Sequence, residues 1–196
     1  MILLLLFLLA AYLIGAIPCG IVLTRLVGSE DIRKAGSGNI GATNVYRVAG
    51  RKLGVATLIF DTLKGVLPVG IALAFFPESL GAVALVAAAT FLGHLYPVYI
   101  GFKGGKGVAT ALGIFLVLSP KSVLVALVLF VILVWKWRYI SLGSVCAAAA
   151  CPLLVYYFEG STPLFLVTLF IGGMVILRHR ANIERLIAGT ENRFRA

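Results

Sequence analysis

Three short polar stretches interrupt an otherwise apolar chain. The first runs Ser37-Gly38-Asn39-Ile40-Gly41-Ala42-Thr43-Asn44-Val45-Tyr46-Arg47. The second runs Gly101-Phe102-Lys103-Gly104-Gly105-Lys106-Gly107-Val108-Ala109-Thr110, and the third His179-Arg180-Ala181-Asn182-Ile183-Glu184-Arg185. All three are rich in glycine, amide, hydroxyl or basic groups and poor in acids. That chemistry suits a multiply charged anion, above all a phosphate. In the second stretch four glycines in seven positions allow the backbone to approach a ligand closely and turn its amides toward it. Lys106 adds a full positive charge, and a helix starting at Val108 would add its dipole. A Walker A loop would need Ser or Thr after the lysine, but Gly107 follows Lys106, so nucleotide binding gains no support.

Each stretch also has a plainer reading. The first could cap a helix. The second could be a tight interhelical turn whose lysines snorkel to the surface, and the arginines of the third could be anchors on the inner face of a membrane. In the third, His179, Asn182 and Ile183 share a face at helical spacing. Three such stretches on one side of a membrane favour a shared anion site.

The elements that position them are apolar helices. The chain has 196 residues, 61% hydrophobic and 12% charged, against about a quarter charged in an average soluble domain. A chain of this size cannot bury so much apolar surface and keep a wettable exterior, which excludes a soluble globule and a disordered chain. The expected class is all-α, a polytopic membrane helical bundle forming one integral membrane domain over residues 1–196. Spans are expected at about 2–23, 53–76, 80–100, 108–118, 122–135, 139–158 and 164–177, the fourth and fifth separated by Ser119-Pro120-Lys121. The first charged side chain is Arg25, beyond the first apolar run, so that run reads as a retained span and not a signal peptide. With seven crossings and the N-terminus outside, every lysine and arginine except Lys64 and Lys121 falls on the cytoplasmic side, including Arg178, Arg180, Arg185, Arg193 and Arg195 of the tail. The net charge of +10 therefore reports topology and anion binding, and nucleic acid is not an expected partner.

Single residues within the spans carry further expectations. Asp61 and Lys64, three apart, could pair with each other inside the bundle or serve as a relay. His94 could contact a ligand or be a satisfied interfacial histidine. Trp135, Trp137 and Tyr139 read as an aromatic belt. Cys19, Cys146 and Cys151 read as packing residues, and no metal site is visible.

The three motifs, in this order and over essentially the whole chain, closely resemble the bacterial acylphosphate:glycerol-3-phosphate acyltransferase family (PlsY). The resemblance implies a multi-pass enzyme of the bacterial plasma (inner) membrane with its active site on the cytoplasmic face. It would transfer a fatty acyl group from acyl phosphate to glycerol 3-phosphate, giving lysophosphatidic acid and phosphate for phospholipid biosynthesis, without a cofactor. The soluble acyltransferase that forms acyl phosphate is an implied partner. Family motifs map glycerol phosphate onto Gly104, Gly105, Lys106 and Gly107, with Lys103 beside them. Ser37, Asn39, Gly41, Thr43, Asn44 and Arg47 would complete the phosphate site or clamp the donor. His179 and Asn182 would approach from the tail with Arg180. In catalysis, His179 would position or deprotonate the acceptor hydroxyl with Asn182 and Ser37, or the donor's own phosphate would accept the proton, while Lys106 and Arg47 neutralise phosphate. The His-x-x-x-x-Asp pair of common glycerolipid acyltransferases is missing, Glu184 standing at that spacing from His179. The alternative is a secondary transporter of an organophosphate or similar anion, although no convincing internal repeat supports it.

Overall fold

The computed structural model describes residues 1–194; Arg195, expected among the tail cations, lies outside the described residues. The regular elements of the described chain are helices joined by loops: α1 (Ile2–Gly15), α2 (Cys19–Leu26), α3 (Ala42–Ala49), α4 (Arg51–Phe75), α5 (Leu80–Leu95), α6 (Val108–Leu118), α7 (Pro120–Trp137), α8 (Ile140–Glu159), α9 (Thr162–Arg178) and α10 (Arg180–Ile187). A 3-10 turn, Val98–Ile100, follows α5. The chain divides into two compact units, Met1–Val117 and Leu118–Ala196. Four stretches are long and apolar enough to cross a membrane: Arg51–Phe75, Leu80–Ile100, Pro120–Trp137 and Ile140–Glu159. Two bent pairs, α1 with α2 and α9 with α10, raise that number to six. Helix α6, with 11 residues, is only about 16 Å long, roughly half a hydrocarbon core.

In the first unit, the apolar run expected as one span over 2–23 is two helices bent by 45°. Pro18 has no amide hydrogen to continue the ladder, so the helix breaks and its carbonyls need other donors. The Ile17 carbonyl finds one in Lys64 Nζ, 2.7 Å away on α4. Small residues let the helices pack closely. Gly15 abuts the Thr90 carbonyl and Gly93 the Tyr12 carbonyl, joining α1 to α5. Gly65 against Thr110 and Gly113 against Thr62 join α4 to α6 in the same way. Phe7 sets its ring against Phe75 and Phe76 at centroid distances of 5.2 and 5.1 Å. A side chain at any of these four glycines would push its helix pair apart.

In the second unit, the expected break at Ser119 is present, but α7 starts at Pro120 and not at 122. Proline is tolerated at the first helical position because that amide has no intrahelical partner. Ser119 Oγ donates to Glu159 Oε1 at 2.7 Å and lies 2.7 Å from Ser122 Oγ, tying the start of α7 to the end of α8. Gly172 packs on the Ala148 carbonyl where α9 crosses α8. Trp135 and Trp137 are exposed at the end of α7, as a belt requires, and Lys136 Nζ sits 4.6 Å from the Trp137 ring. Cys19 and Cys151 are buried, consistent with packing roles.

Candidate active site

The first polar stretch folds into a loop followed by α3, with Gly41 as the N-cap. Asn44, expected among the phosphate ligands, is instead the internal fastener of this loop. Its Nδ2 lies 2.9 Å from Ile32 O, 3.2 Å from Ala35 O and 2.9 Å from Asn39 O. Its Oδ1 accepts from the Ser37 amide at 2.8 Å, so a buried side chain is wholly committed to backbone. Gly36 and Gly38, both at positive φ, make the turns that allow this. Asn39 Oδ1 accepts from the Gly41 amide at 2.8 Å, an Asx turn leading into the helix. With these fasteners in place, Ser37 and Arg47 are exposed, and Asn39, Gly41 and Thr43 are half-buried. Beneath them Ile21, Ile32, Ile40 and Val45 form an apolar cluster, and Ile100 from the lead into the second stretch packs on it. The first two stretches therefore belong to the same end of the first unit.

The second stretch leaves α5 through the left-handed residues Gly101 and Phe102. The Gly104 amide donates to Leu95 O at 3.1 Å and the Gly105 amide to His94 O at 3.2 Å. Those two amides were expected to face a ligand; they cap the end of α5 instead, where exposed carbonyls need donors. A Cβ on Gly104 would strike the same carbonyls, one on Gly105 the His94 ring, and one on Gly107 the Phe91 ring. The glycines thus allow the loop to lie flat on α5. Within the stretch Lys106 is half-buried and Lys103 exposed, and α6 starts directly after Gly107.

The third stretch is not one continuous helix. Helices α9 and α10 meet at 57°, and His179 is the corner. Its amide donates to Val175 O and Ile176 O, and Asn182 N donates to His179 O. His179 is only 3% exposed, with Nδ1 2.8 Å from Val175 O. A carbonyl can only accept, so Nδ1 carries the hydrogen and the lone pair of the neutral ring is on Nε2. Asn182 is buried and its Nδ2 donates to Glu191 Oε1 at 2.7 Å. Exposed Arg180 pairs with Glu184 across one helical turn.

Glu191, which the sequence reading passed over, organises this corner. Its carboxylate also accepts from Ser141 Oγ and Arg185 Nε, each at 2.7 Å. Burial works to raise its pKa, but the Asn182, Ser141 and Arg185 hydrogen bonds outweigh that and hold it below the ordinary 4.5. Gly189 at positive φ turns the chain back after α10 so that Glu191 can reach Asn182. Phe194 N donates to Arg138 O, fastening the tail beyond.

Residues 5–189 match the profile of the family described as Glycerol-3-phosphate acyltransferase. The chain belongs to that family. A glycerol-3-phosphate acyltransferase of Syntrophotalea carbinolica is 67% identical over 189 residues, covering 96% of each chain. One from Geobacter sulfurreducens is 57% identical over 188 residues, covering 95% of each. Among solved structures, the crystal structure of PlsY (YgiH), an integral membrane glycerol 3-phosphate acyltransferase, superposes in its glycerol 3-phosphate form with a TM-score of 0.94. Identity is 41%, covering 98% of this chain and 96% of that one. Its lysophosphatidic acid form gives a TM-score of 0.92 at 40% identity.

In this family member the first two polar stretches lie in the unit Met1–Val117 and the third in the unit Leu118–Ala196. The signal that could have identified Glu191 was its rarity. It is one of only seven acidic residues and closes the Gly-Thr-Glu turn that follows the third motif after Leu186, Ile187 and Ala188. Among the described residues, no group of three or more His, Cys, Asp or Glu side chains is arranged to hold a metal.

Proposed function

We propose that the protein transfers a fatty acyl group from acyl phosphate to the 1-hydroxyl of glycerol 3-phosphate, at the cytoplasmic face of the bacterial inner membrane. Seven crossings with the N-terminus outside put all three polar stretches on that face, the short α6 counting as a crossing. The observation that carries the reading is the family match over both units, with its solved relative in a glycerol 3-phosphate form. The chemistry of the residues supports it. Lys106, with Lys103 and the start of α6 around Gly107, suits the acceptor's phosphate. Arg47, with Ser37, Thr43, Gly41 and the amide nitrogen of Asn39, suits the phosphate of the donor. Asn44, Gly104 and Gly105 shape these loops from within.

The acceptor oxygen attacks the acyl carbonyl carbon, a new ester C–O bond forms, and the carbonyl's bond to the phosphate oxygen breaks, releasing orthophosphate. The hydroxyl proton passes to His179 Nε2, whose lone pair the Val175 carbonyl fixes by holding the hydrogen on Nδ1. Asn182, oriented by Glu191, aligns the hydroxyl. Because phosphate is a good leaving group, the burden on the enzyme falls on positioning two anions and one proton.

The purified protein, given acyl phosphate and glycerol 3-phosphate, is expected to release lysophosphatidic acid and phosphate. Lys106→Ala should raise KM for glycerol 3-phosphate by about tenfold or more, the loss of one charge-assisted contact. His179→Ala should lower kcat by roughly 100-fold or more. Absence of product from the wild type sinks the reading, and a His179→Ala enzyme with unchanged kcat sinks the base assignment.

A further inference from the structure

One buried cluster in the first unit is not used by the reaction just described. His94, in the last turn of α5, is 3% exposed, and its Nδ1 lies 3.1 Å from Thr110 Oγ1 on α6. The other edge of the ring lies directly under Gly105, where a Cβ would collide with Nε2. On the Nδ1 side, Asp61 Oδ1 of α4 is 3.9 Å away. Asp61 Oδ1 is held 2.7 Å from Lys64 Nζ, which also donates to Ile17 O at the break between α1 and α2. On the far side of that break, Gly20 packs against the Ile40 carbonyl of the first loop. A continuous chain of polar contacts and close packing therefore runs from the first loop, through the bundle interior, to the start of α6.

Thr110 shows that this arrangement is directed. Buried Thr24, Thr57, Thr90 and Thr168 donate to carbonyls four residues back in their own helices. For Thr110 that carbonyl would be that of Lys106, in the glycine loop. Its hydroxyl instead pairs with His94 on another helix, so the first turn of α6 is registered against α5. The same imidazole bounds the space over which the loop lies flat. A ring touching both ends of the six-residue segment from Gly105 to Thr110 constrains the height and tilt of Lys106 between them.

We propose that His94 is a positioning residue, which through Thr110 and Gly105 sets the second loop in the geometry that binds the glycerol 3-phosphate phosphate. The inference rests on the reading of this loop as the acceptor site. It differs from simple core packing in what it makes sensitive. A strut that only stabilises the bundle alters Tm; one that sets the loop alters acceptor affinity.

The test uses the full chain in detergent, with two readouts: KM and kcat for glycerol 3-phosphate, and the rise in Tm that glycerol 3-phosphate causes without turnover. Thr110→Val, nearly isosteric, is expected to raise KM about tenfold and shrink the ligand-induced rise, with kcat changed less than about threefold. Thr110→Ser should restore both. His94→Asn, which keeps a polar atom near the Nδ1 position, should lose less affinity than His94→Ala. In the double variant His94→Ala/Thr110→Val the loss should be less than the product of the two single losses, because both break one contact. Lowered Tm with unchanged KM and an intact ligand-induced rise overturns the proposal, as does equal loss in Thr110→Val and Thr110→Ser. If the wild type gains Tm from glycerol 3-phosphate but makes no lysophosphatidic acid, the functional reading fails. The binding arm then still decides the role of His94.

Discussion

Asp61 and Glu191 are both buried carboxylates, one in each compact unit, yet their surroundings differ in kind. Asp61 lies inside a 25-residue apolar helix, and its close polar partner is Lys64 Nζ, the two side chains 3% and 5% exposed. Glu191 lies where helices end, and accepts from a hydroxyl, an amide and a guanidinium at 2.7 Å each. In the apolar interior a single carboxylate is too costly to hold without a counter-ion, so the pair comes as a unit. Near the surface, Arg185 keeps part of its charge in water, and neutral donors share the work. The first arrangement holds helices together. The second aims Asn182, a residue with a proposed role in catalysis.

Breaking the interior pair should give the largest effect. Lys64→Met leaves Asp61 without its cation and removes the Nζ donor from the Ile17 carbonyl, which keeps the Cys19 amide at 3.0 Å. A loss of about 3–5 kcal/mol is expected, lowering Tm in detergent by on the order of 10 °C. The double variant Asp61→Leu/Lys64→Met should recover most of that, since two apolar side chains replace a pair whose desolvation was costly. Equal instability of single and double variants would show that Lys64 matters for the helix break alone. Either way the comparison sharpens, because no such rescue is expected around Glu191.

Glu191→Gln keeps the shape of the corner and removes its charge. A smaller destabilisation is expected, about 1–3 kcal/mol, with kcat falling more than KM rises because Asn182 loses its orientation. The pH dependence has a definite sign. The folded-state pKa of Glu191 lies below its unfolded value near 4.5, so its contribution is complete above that value and is lost as pH falls through the folded pKa. Wild-type Tm should therefore drop on acidification below pH 4.5, and Glu191→Gln should lack that component. A variant whose acid profile matches the wild type would remove Glu191 from its place as the hub of this corner.

The same contrast explains what could be read from the residues alone. Apolar runs announced the helices, and Ser119-Pro120 announced a break because a polar side chain and a missing amide coincide there. The break at Pro18 was hidden. It lies in an uninterrupted apolar run, and the charged donor to the Ile17 carbonyl there, Lys64, is 47 residues away. The types of group that suit phosphate were legible in Lys106 and Arg47. How the loops use their amides was not, since a glycine segment can turn its N–H groups toward ligand or protein with equal ease. Gly104 and Gly105 turn theirs toward α5 because that helix ends in bare carbonyls. Asn44 looks from its type like a ligand contact, but its four backbone partners assemble only once Gly36 and Gly38 have made their turns. Glu191 joins residues 50, 9 and 6 positions away, a constellation that no local spacing displays.

The exposed pair Arg180–Glu184 gives the smallest expected effect and the finest probe. Its spacing of four resembles the spacing of three in Asp61–Lys64, yet its side chains are 82% and 62% exposed. Removing either partner should change stability by only about 0.3–0.5 kcal/mol, because water replaces the lost contact. Activity can then be measured in a fully folded protein. If Arg180 also attracts a substrate phosphate, Arg180→Ala should raise KM by roughly two- to threefold, an effect that fades as salt is added. Glu184→Ala, which releases the guanidinium from its partner, should lower KM under the same conditions. Opposite shifts of KM at constant Tm would assign Arg180 to the anion's approach, whereas unchanged KM in both variants would leave it an anchor of the membrane face.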